Sequence, residues 1–504
     1  MLRKIRIGLS VVLFVLITFF FLDFAEILPP QFHVLTKIQF IPALLALEIG
    51  IIIALIAFTL LFGRVYCSSI CPLGIYQDFV NWFSKKTQKK KRFQYLHPLT
   101  LLRWSIVAIT LIAFLAGFNF LVGLLDPYSA YGRISVHIFK PAYLAGNNLL
   151  ESIFTRFDNH TFYRMSIYVL SISSLIIALI TVATVSVLAW INGRIYCNSI
   201  CPVGTVLGFL SKYSLFKIRI DESTCNSCGS CGRKCKASCI DTKLHKIDYS
   251  RCINCFDCIE VCSQDSISFS YSIANKTSNK TVDTSKRRFM MAVGVTTLAA
   301  GKLIADKNLN LLETANKAER KLPISPPGSL SHKNLLNKCT SCHLCVSKCP
   351  SGVIKPSFLE YGIAGMMQPM LYFDKGFCNY DCTICSEVCP TGAISHIDKN
   401  TKHQTQTGQV QFILENCIVY TDETHCGACS EHCPTQAVSM VPYKNGLTIP
   451  HTDISICVGC GGCEFICPAK PYKAIYVEGI DKHEKLTIVK EEKDESVVVD
   501  DFGF

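Results

Sequence analysis

A helical membrane domain joined to small α+β modules built around clustered cysteines is the fold class this sequence predicts. Three observations carry it. Four long apolar stretches lie near residues 7–22, 42–62, 104–125 and 165–191. A twelve-residue segment recurs almost unchanged after the second and the fourth stretch. All but one of the 29 cysteines fall in phased sets of four, within a chain of 504 residues that is 50% hydrophobic and only 17% charged. Such a composition excludes a disordered chain, and the length excludes a small disulfide-stapled scaffold.

The four apolar stretches predict four transmembrane helices, since a spanning helix needs about 20 apolar residues. Their flanks set the orientation. Arg3, Arg6 and the run Lys85–Arg92 lie at the ends assigned to the cytoplasm, whereas the loop between the first two stretches carries only Lys37. The formal charge of +12 is therefore read as membrane topology, with no nucleic acid as partner. Among the few polar groups, Glu48 falls inside the second stretch, where a carboxylate is costly unless paired or functional. The loop after the third stretch opens with Asp126 and ends its polar run at Arg133. Glu48, Asp126 and Arg133 are the candidates for a quinol headgroup site. The competing reading of that loop is an interfacial anchor held by Tyr128 and Tyr131.

The repeat reads GRVYCSSICPLG at 63–74 and GRIYCNSICPVG at 193–204, so the membrane domain is a duplicated helical hairpin. Each copy ends in a Cys-x3-Cys-Pro tag, the tail of a bacterial ferredoxin motif. Cys67, Cys71, Cys197 and Cys201 would together make one four-thiolate set. The alternative is two unligated cysteine pairs capping helix ends.

Beyond residue 215 the spacing becomes that of a two-cluster bacterial ferredoxin. Cys225, Cys228, Cys231 and Cys235 are followed by Cys252, Cys255, Cys258 and Cys262 in the same Cys-x2-Cys-x2-Cys-x3-Cys pattern. A [4Fe–4S] cluster takes three thiolates from one tight loop and the fourth from elsewhere, in two-cluster ferredoxins from the other run. The expected sets are Cys225, Cys228, Cys231 with Cys262, and Cys252, Cys255, Cys258 with Cys235. Zinc sites have no use for the third cysteine of each run.

Four further runs follow: Cys339, Cys342, Cys345, Cys349; Cys378, Cys382, Cys385, Cys389; Cys417, Cys426, Cys429, Cys433; and Cys457, Cys460, Cys463, Cys467. The two with irregular first gaps are the inner ones. That symmetry predicts nested pairing, first run with fourth and second with third. The segment from Cys339 to His343 also matches a c-type haem tag, but Cys345 and Cys349 continue at ferredoxin spacing, which makes His343 a loop residue. Cys239 alone belongs to no set and is expected to be a spare buried thiol. The rest give six [4Fe–4S] clusters and, with the membrane tags, a seventh.

The boundaries expected are a membrane domain at 1–215, a two-cluster ferredoxin at 216–272, a linker at 273–332, a four-cluster polyferredoxin at 333–480 and a tail at 481–504. Within the linker, Ser285-Lys286-Arg287-Arg288-Phe289 followed by apolar residues to Gly301 has the build of an export signal of the twin-arginine type, or of a fifth membrane segment.

These residues resemble a known pair. Region 1–270 is similar to NapH-type quinol dehydrogenase membrane proteins, and 285–475 to NapG-type periplasmic polyferredoxins, here in one chain. The resemblance implies a multi-pass protein of a bacterial inner membrane with its C-terminal domain in the periplasm. It also implies oxidation of menaquinol or another quinol from the membrane pool. The electrons would pass to a periplasmic reductase or c-type cytochrome. The competing reading is an assembly factor for a respiratory metalloenzyme.

Overall fold

The computed structural model describes residues 1–23, 27–87, 93–167, 169–271 and 320–486. The twin-arginine-like segment and the acidic tail lie outside the described residues.

Two helices, Leu2–Leu22 and Ile172–Asn192, are long and apolar enough to cross a membrane, and only 28% and 22% of their apolar windows are buried against the rest of the protein. Val11, Val12 and Val15 on the first, and Ile176, Ile180 and Ile191 on the second, face outward. Apolar surface left open along about 30 Å of helix suits lipid better than water.

The other two expected spans are broken helices rather than continuous ones. Residues 42–62 form Phe40–Leu45 and Ile49–Phe62, with the chain turning at Leu47 (φ 56°). Residues 104–125 form Thr100–Leu115 and Asn119–Leu125, broken at Gly117 (φ 81°), the left-handed residue that ends a helix. The fourth begins later than its apolar run, at Ile172, capped by Ser171, and Asn148 holds Met165 ahead of it through both its N–H and its carbonyl.

The duplication is visible in the backbone. Gly63 and Gly193, both at positive φ, end the helices Ile49–Phe62 and Ile172–Asn192. A one-turn helix follows in each half, Val65–Ser69 and Ile195–Ser199. A third helix then starts with proline directly after the second cysteine, at Pro72 and Pro202. Proline suits that first helical position because its missing N–H would be unpaired there anyway.

In the 216–271 unit, strand Phe216–Ile220 pairs antiparallel with Ile267–Tyr271, Ile218 opposite Phe269. Two short helices, Ser230–Lys234 and Asp257–Val261, pack together beneath it. The 320–486 unit repeats this plan. Its helices Leu344–Lys348 and Ile384–Glu387 pack as one pair and Ala428–Glu431 and Gly462–Ile466 as another, with Thr405–Phe412 paired to Ile475–Lys485.

The two ferredoxin-like units sit against opposite ends of helix Leu2–Leu22. At its start, Arg3 pairs with Asp257 at 2.9 Å. At its end, the Phe21 carbonyl accepts from Ser347 Oγ at 2.6 Å, and Asp23 pairs with Lys348 at 3.0 Å.

Candidate functional site

The two halves of the duplicated hairpin bring Cys67, Cys71, Cys197 and Cys201 together. All four are buried, at 4–5% exposure. Cys197 lies within electrostatic reach of the other three, and Cys201 within reach of Cys67 and Cys71. Gly74 and Gly204 make the approach possible, since a Cβ there would stand 2.4 Å from the Cys67 carbonyl and 2.2 Å from the Cys197 carbonyl.

Two guanidiniums frame this quartet. Arg64 Nη2 donates to the Cys197 carbonyl (3.2 Å) and lies 3.8 Å from Cys67 Sγ, while Arg194 Nη1 donates to the Cys67 carbonyl (2.8 Å) and lies 3.9 Å from Cys197 Sγ. Gln77 Nε2 adds a third donor, 3.2 Å from Cys197 Sγ. Arg194 is balanced by Asp78 at 2.8 Å. Arg64 is fully buried, and among the described residues no carboxylate pairs with it. A buried cation needs an anion, and a set of thiolates is the one at hand.

In the 216–271 unit, one cavity is lined by Cys225, Cys228, Cys231 and Cys262. A second is lined by Cys235, Cys252, Cys255 and Cys258, and by Cys239. The crossing has a local cause. The third cysteine of each run sits inside a short helix, and the fourth caps it in extended conformation (ψ 99° at Cys235, 109° at Cys262), which carries its thiol to the neighbouring cavity. Cys239 is buried as expected, but it is not idle packing: its Sγ lies 3.6 Å from Cys235 Sγ. The Cys239 thiol, hydrogen-bonded to it, lowers the Cys235 thiol to about 7.

The nested pairing expected for the C-terminal runs is not what the structure shows; neighbouring runs pair. Cys339, Cys342 and Cys345 gather with Cys389, and Cys378, Cys382 and Cys385 with Cys349. Cys417, Cys426 and Cys429 line a cavity with Cys467, and Cys457, Cys460 and Cys463 lie with Cys433. The reason is again the short helix before each fourth cysteine, which can reach only the run whose helix packs against it. His343 is a loop residue. It holds the left-handed position (φ 62°) taken by Gly229 and Gly461 in equivalent runs, and its ring meets His137 at 2.8 Å and the Met367 carbonyl at 3.0 Å.

Among the described residues, no three His, Cys, Asp or Glu side chains are gathered tightly enough for a single metal ion. A tetrahedral zinc would draw its thiolates to within about 4 Å of each other. Each quartet supplies the four thiolates that a [4Fe–4S] cluster takes.

Comparison with known proteins agrees with that chemistry. Models described as a 4Fe-4S binding domain match residues 44–91 and 174–221, the two membrane repeats. Models of a 4Fe-4S dicluster domain match 248–353, 338–394 and 424–470. The chain is 27% identical over 231 residues to the ferredoxin-type protein NapH of Haemophilus influenzae, covering 44% of this chain and 67% of that one. It is 26% identical over 154 residues to the ferredoxin-type protein NapF of Escherichia coli (31% and 85% covered). It is 28% identical over 156 residues to the methylamine utilization ferredoxin-type protein MauM of Methylobacillus flagellatus (29% and 63% covered). No solved structure matches the chain. The relatives are ferredoxin-type electron-transport proteins.

This chain is accordingly an iron–sulfur electron-transfer protein with several [4Fe–4S] sites. The matches at 338–394 and 424–470 each enclose two neighbouring runs, apart from Cys417. The match at 248–353 joins two runs that the structure places in different units, where the thiols of each run meet those of other partners.

Of the quinol-site candidates, Asp126 and Arg133 lie within electrostatic reach of each other. Glu48 is exposed at the start of Ile49–Phe62. Asp126 and Arg133 are 1% and 0% exposed and serve the seam to the C-terminal unit. Asp126 accepts from Ser129 Oγ, which meets Thr340 Oγ1 at 2.8 Å. Arg133 donates to the carbonyls of Gly123 (3.0 Å) and Ser341 (3.3 Å), with Gly132 pressed against the Cys342 carbonyl. Both side chains are thus engaged with protein partners. Sequence reasoning missed a roomy cavity among the described residues, about 340 Å³, lined by Lys140, Leu144 and Ile167 and by Asp23, Lys348 and Cys349. Burial raises the Asp23 carboxyl, but the amides of Ile27 and Leu28 and the Lys348 ammonium reverse this and hold it below the usual range.

Proposed function

We propose that this protein is a membrane-bound quinol dehydrogenase component. It would take electrons from menaquinol or a similar quinol and pass them through seven [4Fe–4S] clusters to a periplasmic reductase or c-type cytochrome. The observation that carries the quinol step is the cavity beside Cys349. Leu144 and Ile167 line it with apolar side chains, and the ammonium groups of Lys140, on the same helix as Leu144, and of Lys348 line it as well. That combination suits a carrier with an apolar tail and an oxygen-bearing ring, and the volume lies in the range of small-molecule sites.

In this reading the 28 cysteines outside Cys239 hold the clusters, which supply one-electron redox chemistry where bound. The lysines orient the quinol oxygens. Clusters held there would accept the two electrons of a bound quinol one at a time, and its two protons would leave to water at the cavity mouth. Bacterial inner-membrane placement, with the 320–486 unit on the periplasmic side, is supported by the lipid-suited faces of the two long helices and by the attachment of the ferredoxin-like units to opposite ends of Leu2–Leu22.

The test is anaerobic titration of purified protein with a reduced menaquinol analogue, followed by EPR, with dithionite as the full-reduction control. Cluster signals elicited by quinol support the reading. Clusters that respond to dithionite alone, at potentials within the quinol's reach, overturn it.

A further inference from the structure

The seven quartets are not scattered; bonded or neighbouring residues link each to the next. Between the 216–271 unit and the membrane quartet the links are single residues. Arg64 touches both Cys67 Sγ and the Ser250 carbonyl (3.0 Å), two residues before Cys252. Arg194 N–H donates to the Lys236 carbonyl at 3.0 Å and Asn198 Nδ2 to the Ala237 carbonyl at 3.2 Å, immediately after Cys235.

On its other side the membrane quartet meets two buried tyrosines. Tyr66 lies within electrostatic reach of Cys71 and Asp126, and Tyr196 within reach of Cys201 and Asp126. Tyr196 also donates to the Leu125 carbonyl at 3.3 Å. From Asp126 the bonded path runs through Ser129 to Thr340, next to Cys339. The 339 and 378 sets exchange Cys349 and Cys389. Cys378 N–H donates to the Cys460 carbonyl at 2.9 Å, and the last two sets exchange Cys433 and Cys467.

We infer that the Cys67, Cys71, Cys197 and Cys201 quartet is the mid-layer relay of one unbroken electron path from the 216–271 unit to the 320–486 unit, so that the chain conducts electrons between the two aqueous sides of a membrane with no quinone taking part. The inference rests on the membrane reading of the long helices and on clusters filling the quartets, but not on quinol oxidation. It adds an activity: a one-electron donor on one side is oxidised, an acceptor on the other is reduced, and one charge crosses per electron. Cys228, exposed in the outermost cavity of the 216–271 unit, marks the terminus on that side. The donor class is a soluble one-electron carrier, since nothing larger than an electron has to pass.

The experiment uses the full-length holoprotein in quinone-free liposomes that enclose oxidised cytochrome c, with a membrane-impermeant reduced sulfonated viologen added outside. The expected result is reduction of the enclosed cytochrome at least tenfold faster than in protein-free vesicles, accelerated further by valinomycin and potassium because the transfer is electrogenic. The double variant Cys71→Ser/Cys201→Ser is expected to fall to the protein-free rate. It should lose about four iron atoms per chain, one cluster's worth, while the flanking clusters keep their EPR signals with dithionite in detergent. Wild-type protein that stays at the leak rate although every cluster is reducible in detergent overturns the inference, as does a double variant that conducts like wild type. Should the double variant not assemble, the wild-type measurement with and without valinomycin decides alone. A protein that passes here and ignores quinol loses the dehydrogenase reading and keeps this one; the reverse result does the opposite.

Discussion

Arg64 and Arg194 are exchanged between the two halves of the duplicated hairpin: Arg64 donates to the Cys197 carbonyl of the second half, and Arg194 to the Cys67 carbonyl of the first. Each also lies beside the Sγ of the first cysteine of its own repeat while bonding the backbone of the other, so the quartet is closed by both copies or by neither. A single hairpin would leave a buried guanidinium facing two thiols. The duplication is thus a requirement of the site.

Removing one of these charges should empty the membrane quartet alone. Arg64→Met is expected to lower bound iron by about four atoms per chain, with EPR signals of the other sets unchanged. Arg64→Lys keeps the charge but loses the fork that serves Asn198, Ser250 and Cys197 at once, so it should retain the cluster in only part of the molecules. Iron analysis beside EPR separates these outcomes; equal loss from all sets in either variant would sink the assignment.

Pairing of neighbouring runs makes an asymmetric prediction. Cys467→Ser should disturb the set of Cys417, Cys426 and Cys429 and spare that of Cys457, Cys460 and Cys463, whose own run it terminates. Cys389→Ser should likewise disturb the Cys339 set and not its own. Nested pairing would instead send the effect of Cys467→Ser to the Cys339 set, a difference visible in which EPR signal changes.

That contrast shows what the sequence could and could not disclose. The thiol spacings were legible because three ligands of one loop are local. The partner of each fourth cysteine was partly so, since the x3 gap predicts a crossing but not its destination. Destination depends on which short helices pack, and gap symmetry carries no information about packing. The broken helices were hidden because apolar composition does not report backbone conformation; Gly117 was the available signal, whereas nothing marked Leu47. The reassignment of Asp126 and Arg133 was beyond reach for another reason. Thr340, which Asp126 reaches through Ser129, and Ser341, to which Arg133 donates, lie more than 200 residues away.

Asp78 joins three parts of the protein, pairing with Arg6 (3.3 Å), Arg194 (2.8 Å) and Lys236 (2.8 Å). Burial raises its carboxyl, but Arg194 and Lys236 overcome this and hold it below the ordinary carboxylate range. Its stabilising effect is therefore complete above about pH 4, near the unfolded value, and erodes as pH falls below that. Asp78→Asn, which leaves the buried Arg6 and Arg194 without a carboxylate while Lys236 keeps Asp257 at 3.5 Å, should cost about 3 kcal/mol. Hydrogen exchange in the 230–240 segment should rise in this variant at neutral pH. Unchanged protection there would show that Arg6 and Arg194 find other partners.

Cys239 offers a test that moves a potential without removing a ligand. A thiol hydrogen-bonded to Cys235 Sγ, 3.6 Å away, favours the more negative, reduced state of whatever that sulfur binds. Cys239→Ala should leave the iron content unchanged and lower the midpoint potential of the Cys252 set by roughly 40 mV, the equivalent of about 1 kcal/mol for one electron. A loss of iron instead would make Cys239 a ligand and release Cys235 from that role.

The cavity beside Cys349 can be closed without touching any thiol. Leu144 lines it, and its replacement by tryptophan adds bulk directly into a space of about 340 Å³. Leu144→Trp should raise KM for a menaquinol analogue at least tenfold while reduction by dithionite proceeds as in wild type. Lys140→Met tests the polar groups; its ammonium, which also donates to the Ser347 carbonyl at 2.5 Å, is expected to contribute to orientation of the quinol ring, so that its loss lowers kcat more than it raises KM. The two variants must differ in this way because one removes space and the other a hydrogen-bond donor. If both leave quinol kinetics unchanged while wild type is reduced by quinol, the quinol is oxidised elsewhere on the chain and the cavity is structural.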